Sequence, residues 1–191
     1  MHLRPRYPIR TARLALRPFV ADDLEALLDL ESREDVVRYL PWGLLDREGA
    51  DALLARRLRQ TAIDGDDTAI ILAVTIPPGD RAVGEVMLRL GSAAHRQGEI
   101  GWTLHPDVQG RGYATEAAAE MLRLGFDGLG LHRITADADP RNLASVRLME
   151  RLGMRYEATQ RGVAYEKGEW VDEIVYAMLE DEWRSLRSEV P

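Results

Sequence analysis

The chain has 191 residues, with 25 Lys or Arg against 32 Asp or Glu, a formal net charge of −7 and no cysteine. No disulfide framework, Cys-ligated zinc, iron–sulfur cluster or thiol nucleophile is therefore possible. The acidic total lacks the basic footprint of a general nucleic-acid binder. With 46% hydrophobic and 30% charged residues the balance is that of an ordinary globular chain, and the length suits one domain over 1–191. The opening residues hold no apolar stretch of signal-peptide length, and the longest apolar run, 69–76, is too short to span a bilayer. A cytoplasmic protein with no membrane partner is expected. Only one of the basic residues is a lysine, Lys167.

Residues 11–19 alternate as a strand does, with Ala12, Leu14 and Leu16 on one face. The spacing of Leu24, Leu27 and Leu28 predicts a helix over 21–31, with Asp22 and Asp23 at its positive end. A segment ending at Pro41 and Gly43 follows, then a helix over 46–62 with Asp46 as candidate N-cap. The continuous β-branched run at 69–76 reads as a well-buried strand. The turn residues at 77–80 lead back through a strand at 81–90, and a short strand at 99–104 is stopped by Pro106. Beyond it come a helix over 112–127, a strand at 131–139 and a helix over 142–153 closed by Gly153. Strands at 154–161 and 171–179 flank the turn residues Lys167 and Gly168. A short helix at 180–187 and a frayed end complete the chain. This order describes an α/β chain, an α+β mixed sheet with helices on both faces.

The segment HPDVQGRGYATEAA at 105–118 follows a strand and opens a helix. Glycine lets backbone approach a ligand closely, and the first N–H groups of a helix lack an internal partner. The helix dipole adds to the attraction for an anion. The donors would be backbone N–H groups from Gly110 through Arg111, Gly112 and Tyr113 to Ala114, with the Gln109 and Arg111 side chains nearby and Thr115 in the first turn. The alternative is a tight turn at a helix start. No G-x-x-x-x-G-K-[ST] or strand-borne G-x-G-x-x-G is present, which disfavours ATP and dinucleotides. In the next helix Asn142 is either an N-cap or a ligand contact, and the Ser145 hydroxyl either bonds back to the helix or faces a cleft.

Q-G-R-G-Y-A at 109–114 resembles the Q/R-x-x-G-x-G/A loop of the GNAT N-acetyltransferases. Asn142, Ser145, Leu148, Glu150, Gly153 and Met154 are similar to that superfamily's N-x-x-S/A-x-x-L-x-E-x-x-G-F/M helix. T-x-R-L-x-L-R near the start, Y-L-P-W at 39–42, E-I-G-W at 99–102 and K-G-x-W-x-D at 167–172 resemble the branch containing ribosomal-protein N-terminal alanine acetyltransferases. The resemblance covers nearly the whole chain. It implies a GNAT-like fold: a central, mostly antiparallel twisted sheet with a V-shaped split between two parallel strands, at 99–104 and 131–139.

The resemblance also implies acetyl-CoA as cosubstrate and no metal. The pyrophosphate would lie on the 109–115 loop, and the pantetheine arm along backbone groups near Thr103 and Leu104. The partner is an amine acceptor, and the protein is a monomer or homodimer. The thioester is already activated, so the amine attacks directly and the protein orients, deprotonates and stabilises the oxyanion. An α-amine titrates at about 7.7–8.0 and a lysine amine at about 10.4, a difference of roughly 3–4 kcal/mol in proton removal. This favours a protein or peptide N-terminus over a small amine such as a polyamine, an amino acid or an antibiotic. A non-catalytic acyl-CoA sensor is a third reading.

Glu99 is the candidate base, acting through water, against the alternative of a solvated strand-edge carboxylate. Glu85 is its reserve on the acceptor side, and the N–H near Leu104 is the oxyanion donor implied by the family. Many relatives carry a tyrosine on the second helix to protonate the leaving thiolate. Met149 stands at that position and donates nothing, which leaves Ser145 or solvent. Tyr39, Trp42, Trp170 and Asp172 form a candidate cation-binding set, against the alternative that the rings cap the core.

Overall fold

The computed structural model describes residues 1–188. Its strands are β1 (Ile9–Arg10), β2 (Ala15–Arg17), β3 (Thr68–Thr75), β4 (Ala82–Ser92), β5 (Gln97–Leu104), β6 (Arg133–Ala138), β7 (Arg155–Glu166) and β8 (Glu169–Leu179). The helices are α1 (Leu24–Glu31), α2 (Glu34–Val37), α3 (Arg47–Arg57), α4 (Tyr113–Arg123), α5 (Leu143–Arg151) and α6 (Glu180–Ser188). The strands form one sheet in the order β1-β2-β3-β4-β5-β6-β8-β7. Every pairing is antiparallel except β5 with β6.

β3 shows why its sequence reads as an unbroken apolar run. Ile70, Leu72 and Val74 enter one core, with Ala117, Met121 and Leu122 of α4 and Leu148 and Leu152 of α5. Ile71 and Ala73 enter the opposite core, with Leu27 of α1 and Leu53 and Leu54 of α3. A strand covered on both faces has no polar side to alternate with.

Several boundaries differ from the sequence reading. Residues 11–19 hold a turn followed by the short β2, with β1 just ahead of them at Ile9–Arg10, in place of one strand. Leu14 and Leu16 are buried as expected, but Ala12 is exposed on that turn. The helix expected over 46–62 stops at Arg57, because the chain turns there to bridge Thr61 to Ile70. Asp46 caps it, accepting from the Gly49 N–H at 2.9 Å. The last two strands extend to 155–166 and 169–179, since Lys167 (φ 48°) and Gly168 (φ 90°) make a tight hairpin turn. The expected frayed end lies outside the described residues.

The parallel contact between β5 and β6 is short. It holds only Gln97 to Arg133, Gly98 to Ile134 and Glu99 to Thr135. Beyond Glu99, β5 stays laddered to β4 as far as Leu104, while β6 follows β8 as far as Ala138. The sheet therefore forks at one seam. Gly98 sits at the root of the fork, where a Cβ would lie 2.8 Å from the Arg89 carbonyl oxygen and 2.6 Å from Leu131 Cδ1.

The start of α4 is anchored to the N-terminal turn. Glu116 accepts from Thr11 Oγ1 at 2.5 Å, the Arg13 N–H at 2.8 Å and Arg13 Nε at 2.7 Å. Burial pushes its carboxyl up, but these three donors outweigh burial and hold it below the usual glutamate range.

Two outcomes are expected in denaturant unfolding. Gly98→Ala loses about 1–3 kcal/mol, because backbone at the fork must yield to the added methyl. Glu116→Gln loses about 1.5–3 kcal/mol at neutral pH, the range for hydrogen bonds to a charged group. Because the folded-state pKa of Glu116 is depressed, its contribution is present above the unfolded value of about 4.3 and fades as pH falls through the folded value. The gap between wild type and Glu116→Gln should therefore close in acid.

Candidate active site

The turn before α4 has the geometry of an anion cradle. Gly110 (φ 73°) and Gly112 (φ 78°) take left-handed conformations, and a Cβ on Gly110 would meet nothing within 4 Å. Gly112 is the N-cap of α4 and has no side chain to bond the first-turn amides. Those amides keep the unpaired character of a helix start. Tyr113, Ala114 and Thr115 line a cavity of about 720 Å³ with Thr103, Leu104, Gln109 and both glycines. Arg147 and Arg151, one turn apart on α5, add positive charge to its wall.

Two loop side chains serve the scaffold. Gln109 Nε2 donates to the Leu104 carbonyl at 2.8 Å, tying the loop to the end of β5. Arg111 is exposed and outside the cavity lining, and its carbonyl accepts from Arg13 Nη1 at 2.9 Å.

A second cavity, of about 560 Å³, lies on the sheet face that carries α1 and α3. The two cavities share Tyr39, Leu40, Trp102, Thr103, Asn142 and Ser145. They meet at the fork, where alternation along β5 sends Trp102 and Thr103 to opposite faces. Asn142 Oδ1 accepts from the Ser145 N–H at 3.2 Å, so it is an N-cap and also borders both cavities. Ser145 stands at the junction. Met149 is fully buried in the core beneath α4 and α5 and lines neither cavity.

The second cavity is acidic. Nine carboxylates line it against five Arg or Lys side chains, a surplus of four negative charges. Several carboxylates are paired. Glu99 Oε2 lies 2.7 Å from Arg89 Nη2, its cross-strand partner on β4. Glu85 forms a bidentate buried pair with Arg57, at 2.6 and 2.8 Å. Both carboxylates proposed from sequence as proton acceptors are thus held by guanidinium groups. Behind this wall Glu31 is fully buried, and its Oε1 has no hydrogen-bond partner among the described residues. Burial pushes the Glu31 carboxyl up; a bond from Trp42 Nε1 opposes this, Glu85 adds to it and Arg57 opposes it.

Asp137 differs from these. It lies on β6, lines the second cavity and is reachable by solvent. Burial against the surrounding protein pushes its carboxyl up to about 6, with the charges of Glu99 and Glu173 adding and Arg89 partly offsetting. Sequence reasoning missed it. The available signal was the alternation in 131–139, which places Thr135, Asp137 and Asp139 opposite Ile134, Ala136 and Ala138.

The aromatic set divides. Tyr39 and Trp42 line the second cavity, and Trp42 Nε1 donates to Glu31 at 2.8 Å. Asp172 lines it too, accepting from the Gly162 N–H at 2.8 Å. Trp170 does not. It is 69% exposed on the outer hairpin and packs edge-on against Tyr165. Trp170 shares a strand face with Asp172 but lies nearer the hairpin turn, outside the lining of either cavity.

Lys167 has a role that its position in a turn did not disclose. Its ammonium donates to the carbonyls of Val37, Arg38 and Leu40 at 2.9, 2.8 and 2.7 Å. All three N–H bonds are satisfied. The β7–β8 hairpin tip is thereby latched to the end of α2 and the residues that follow it, at the rim of the acidic cavity.

Comparison with known proteins agrees with this geometry. Residues 13–155 match the Acetyltransferase (GNAT) domain family. The uncharacterized N-acetyltransferase YnaD of Bacillus subtilis (strain 168) is 35% identical over 175 residues, covering 92% of this chain and 98% of that protein. The spermidine N(1)-acetyltransferase of Escherichia coli (strain K12) is 25% identical over 152 residues, covering 74% of this chain and 73% of that protein. The crystal structure of a GNAT-family acetyltransferase from Bacillus anthracis superposes with a TM-score of 0.81 at 33% identity, covering 91% of this chain and 99% of that one. The forked sheet, the glycine turn at a helix start and a family match over most of the sequence converge: this chain belongs to the GNAT acetyltransferase family.

Proposed function

We propose that the protein moves the acetyl group of acetyl-CoA onto a cationic primary amine, within one acyltransferase domain spanning 1–191. The observation that carries this reading is the junction of two unlike cavities at the fork. One has a helix start and two arginines, which suit a polyanionic ligand, and the other has a surplus of negative charge, which suits an ammonium.

In this reading the backbone from Gly110 to Thr115 holds the pyrophosphate of CoA, and the open edge at Thr103 and Leu104 takes the pantetheine arm. The Leu104 N–H polarises the thioester carbonyl. Ser145, at the junction, gives a proton to the departing thiolate. Tyr39, Trp42, Glu85 and Asp172 shape the acceptor side.

The leading acceptor is the α-amine of a protein or peptide. Supporting this, the segments that resemble the ribosomal-protein branch supply Tyr39, Trp42, Glu99, Trp102, Lys167 and Asp172 to the acidic cavity. Removing a proton at about 7.7–8.0 is also the lighter task. The second reading is a small polyamine, favoured by the Lys167 latch, which narrows the entrance, and by the surplus of four carboxylates.

A thiol-release assay at neutral pH, with short free peptides, their N-terminally blocked forms and spermidine as acceptors, separates these readings. The leading reading expects kcat/KM for the best free peptide to exceed that for spermidine at least about tenfold, a gap of ~1.4 kcal/mol. Blocked peptides should be silent. The reverse order selects the polyamine. CoA binding by calorimetry without thiol release on any amine would make the chain a sensor.

A further inference from the structure

We propose that Asp137, and not Glu99, is the general base of acyl transfer in this protein. The inference rests on the acetyltransferase reading above and goes beyond it in assigning the proton acceptor.

The last rung joining β5 to β6 pairs Glu99 with Thr135, and paired residues share a sheet face. Asp137 is the next residue of β6 on that face, so it is the first β6 side chain beyond the fork on the acceptor side. It lines the acidic cavity and is open to solvent there. No hydrogen bond or ion pair to its carboxylate is found among the described residues.

Among the described residues the charged groups around it are paired, with Glu173 the exception. Arg89 on β4 lies 2.7 Å from Glu99 and 3.2 Å from Asp67. Glu99 on β5 is the other half of that pair. Asp139, just past β6, is held by Arg141, which also reaches Glu169 on β8 at 2.9 Å. Glu173 on β8, the remaining carboxylate acting on Asp137, is itself raised by burial first and then by Glu99 and Glu166. Arg89 thus occupies the Glu99 carboxylate, while burial first, and then the negative charges of Glu99 and Glu173, make Asp137 more basic.

A carboxylate that titrates near 6 is ionised at neutral pH and still basic enough to accept a proton. Asp137 takes one proton from the acceptor ammonium, directly or through one water, and freeing the nitrogen lone pair. That pair forms the C–N bond at the thioester carbonyl carbon. The C–S bond breaks, and its electron pair leaves on sulfur. The second nitrogen proton matches the one the thiolate gains, so the products are an amide, a free thiol and a proton on Asp137, which passes to solvent.

The test is the pH dependence of kcat by thiol release, over roughly pH 5 to 9, with the best acceptor of the panel. Wild type should rise to a plateau with a midpoint near 6. Asp137→Asn should lower the plateau about 10²-fold or more and abolish that midpoint, with KM little changed. Asp137→Glu should restore part of the rate. CoA calorimetry and thermal unfolding of each variant establish that the fold and the cofactor site are intact. Asp137→Asn with kcat retained and KM raised would make the residue an ammonium contact and overturn the assignment. So would a midpoint that survives in Asp137→Asn but vanishes in Glu99→Gln or Glu173→Gln. If wild type binds CoA yet acetylates nothing, the proposed function has failed separately. A general base needs acyl transfer, so that result removes the assignment too; where transfer is observed, a carboxyl-carbon NMR titration of aspartate-labelled protein, with Asp137→Asn identifying the signal, checks the assignment a second way. Titration near 6 supports it, and titration near 4 overturns it.

Discussion

Three parallel rungs between β5 and β6 are the constraint on which the rest depends. Each half of the sheet keeps its own antiparallel ladder beyond that point, so the separation leaves main-chain groups at the end of β5 without a β6 partner. The fork also places α4 and α5 at its mouth, because both pack their apolar faces on one side of the sheet. The unpaired first turn of α4 therefore lies beside the unpaired end of β5. A long ligand with an anionic part and an amide-bearing arm meets both at once. Neither the glycine turn nor the strand edge would select such a ligand alone.

Charge then distinguishes the two sides. Arg147 and Arg151 border the helix-start cavity, while the opposite cavity carries a net negative lining. Within that lining, pairing divides the labour. Arg57 and Arg89 pair with Glu85 and Glu99, so these carboxylates hold the wall together, and Glu99 still contributes to the local field. Among the described residues Asp137 is left unpaired, and it is raised by burial first and then by the same field. Lys167 closes the rim with three carbonyl bonds, and the hairpin that carries it contributes Asp172 to the wall.

Much of this was readable from the sequence because it rests on local rules. The unbroken apolar run of β3, the Asp46 and Asn142 caps and the glycine turn depend on residues close together in the chain. The resemblance located the fork between the correct two strands. What escaped depends on partners distant in sequence. The Arg57–Glu85 pair spans 28 residues and the Lys167–Leu40 contact spans 127. Glu99 looked free because its register against Arg89 is fixed only when β4 and β5 pair. Trp170 looked like a binding aromatic in a loop because the last strand was read as starting at 171, whereas β8 starts at Glu169. Met149 aligned with a functional position, yet the rotation of α5 buries it completely.

Hydrogen exchange at single-residue resolution, with and without CoA, tests the fork most directly. Amides of residues 100–104 and 110–115 should slow together when CoA is added, while those of β7 at 155–161 are unaffected. Saturating CoA that leaves the 100–104 and 110–115 amides unprotected would contradict this.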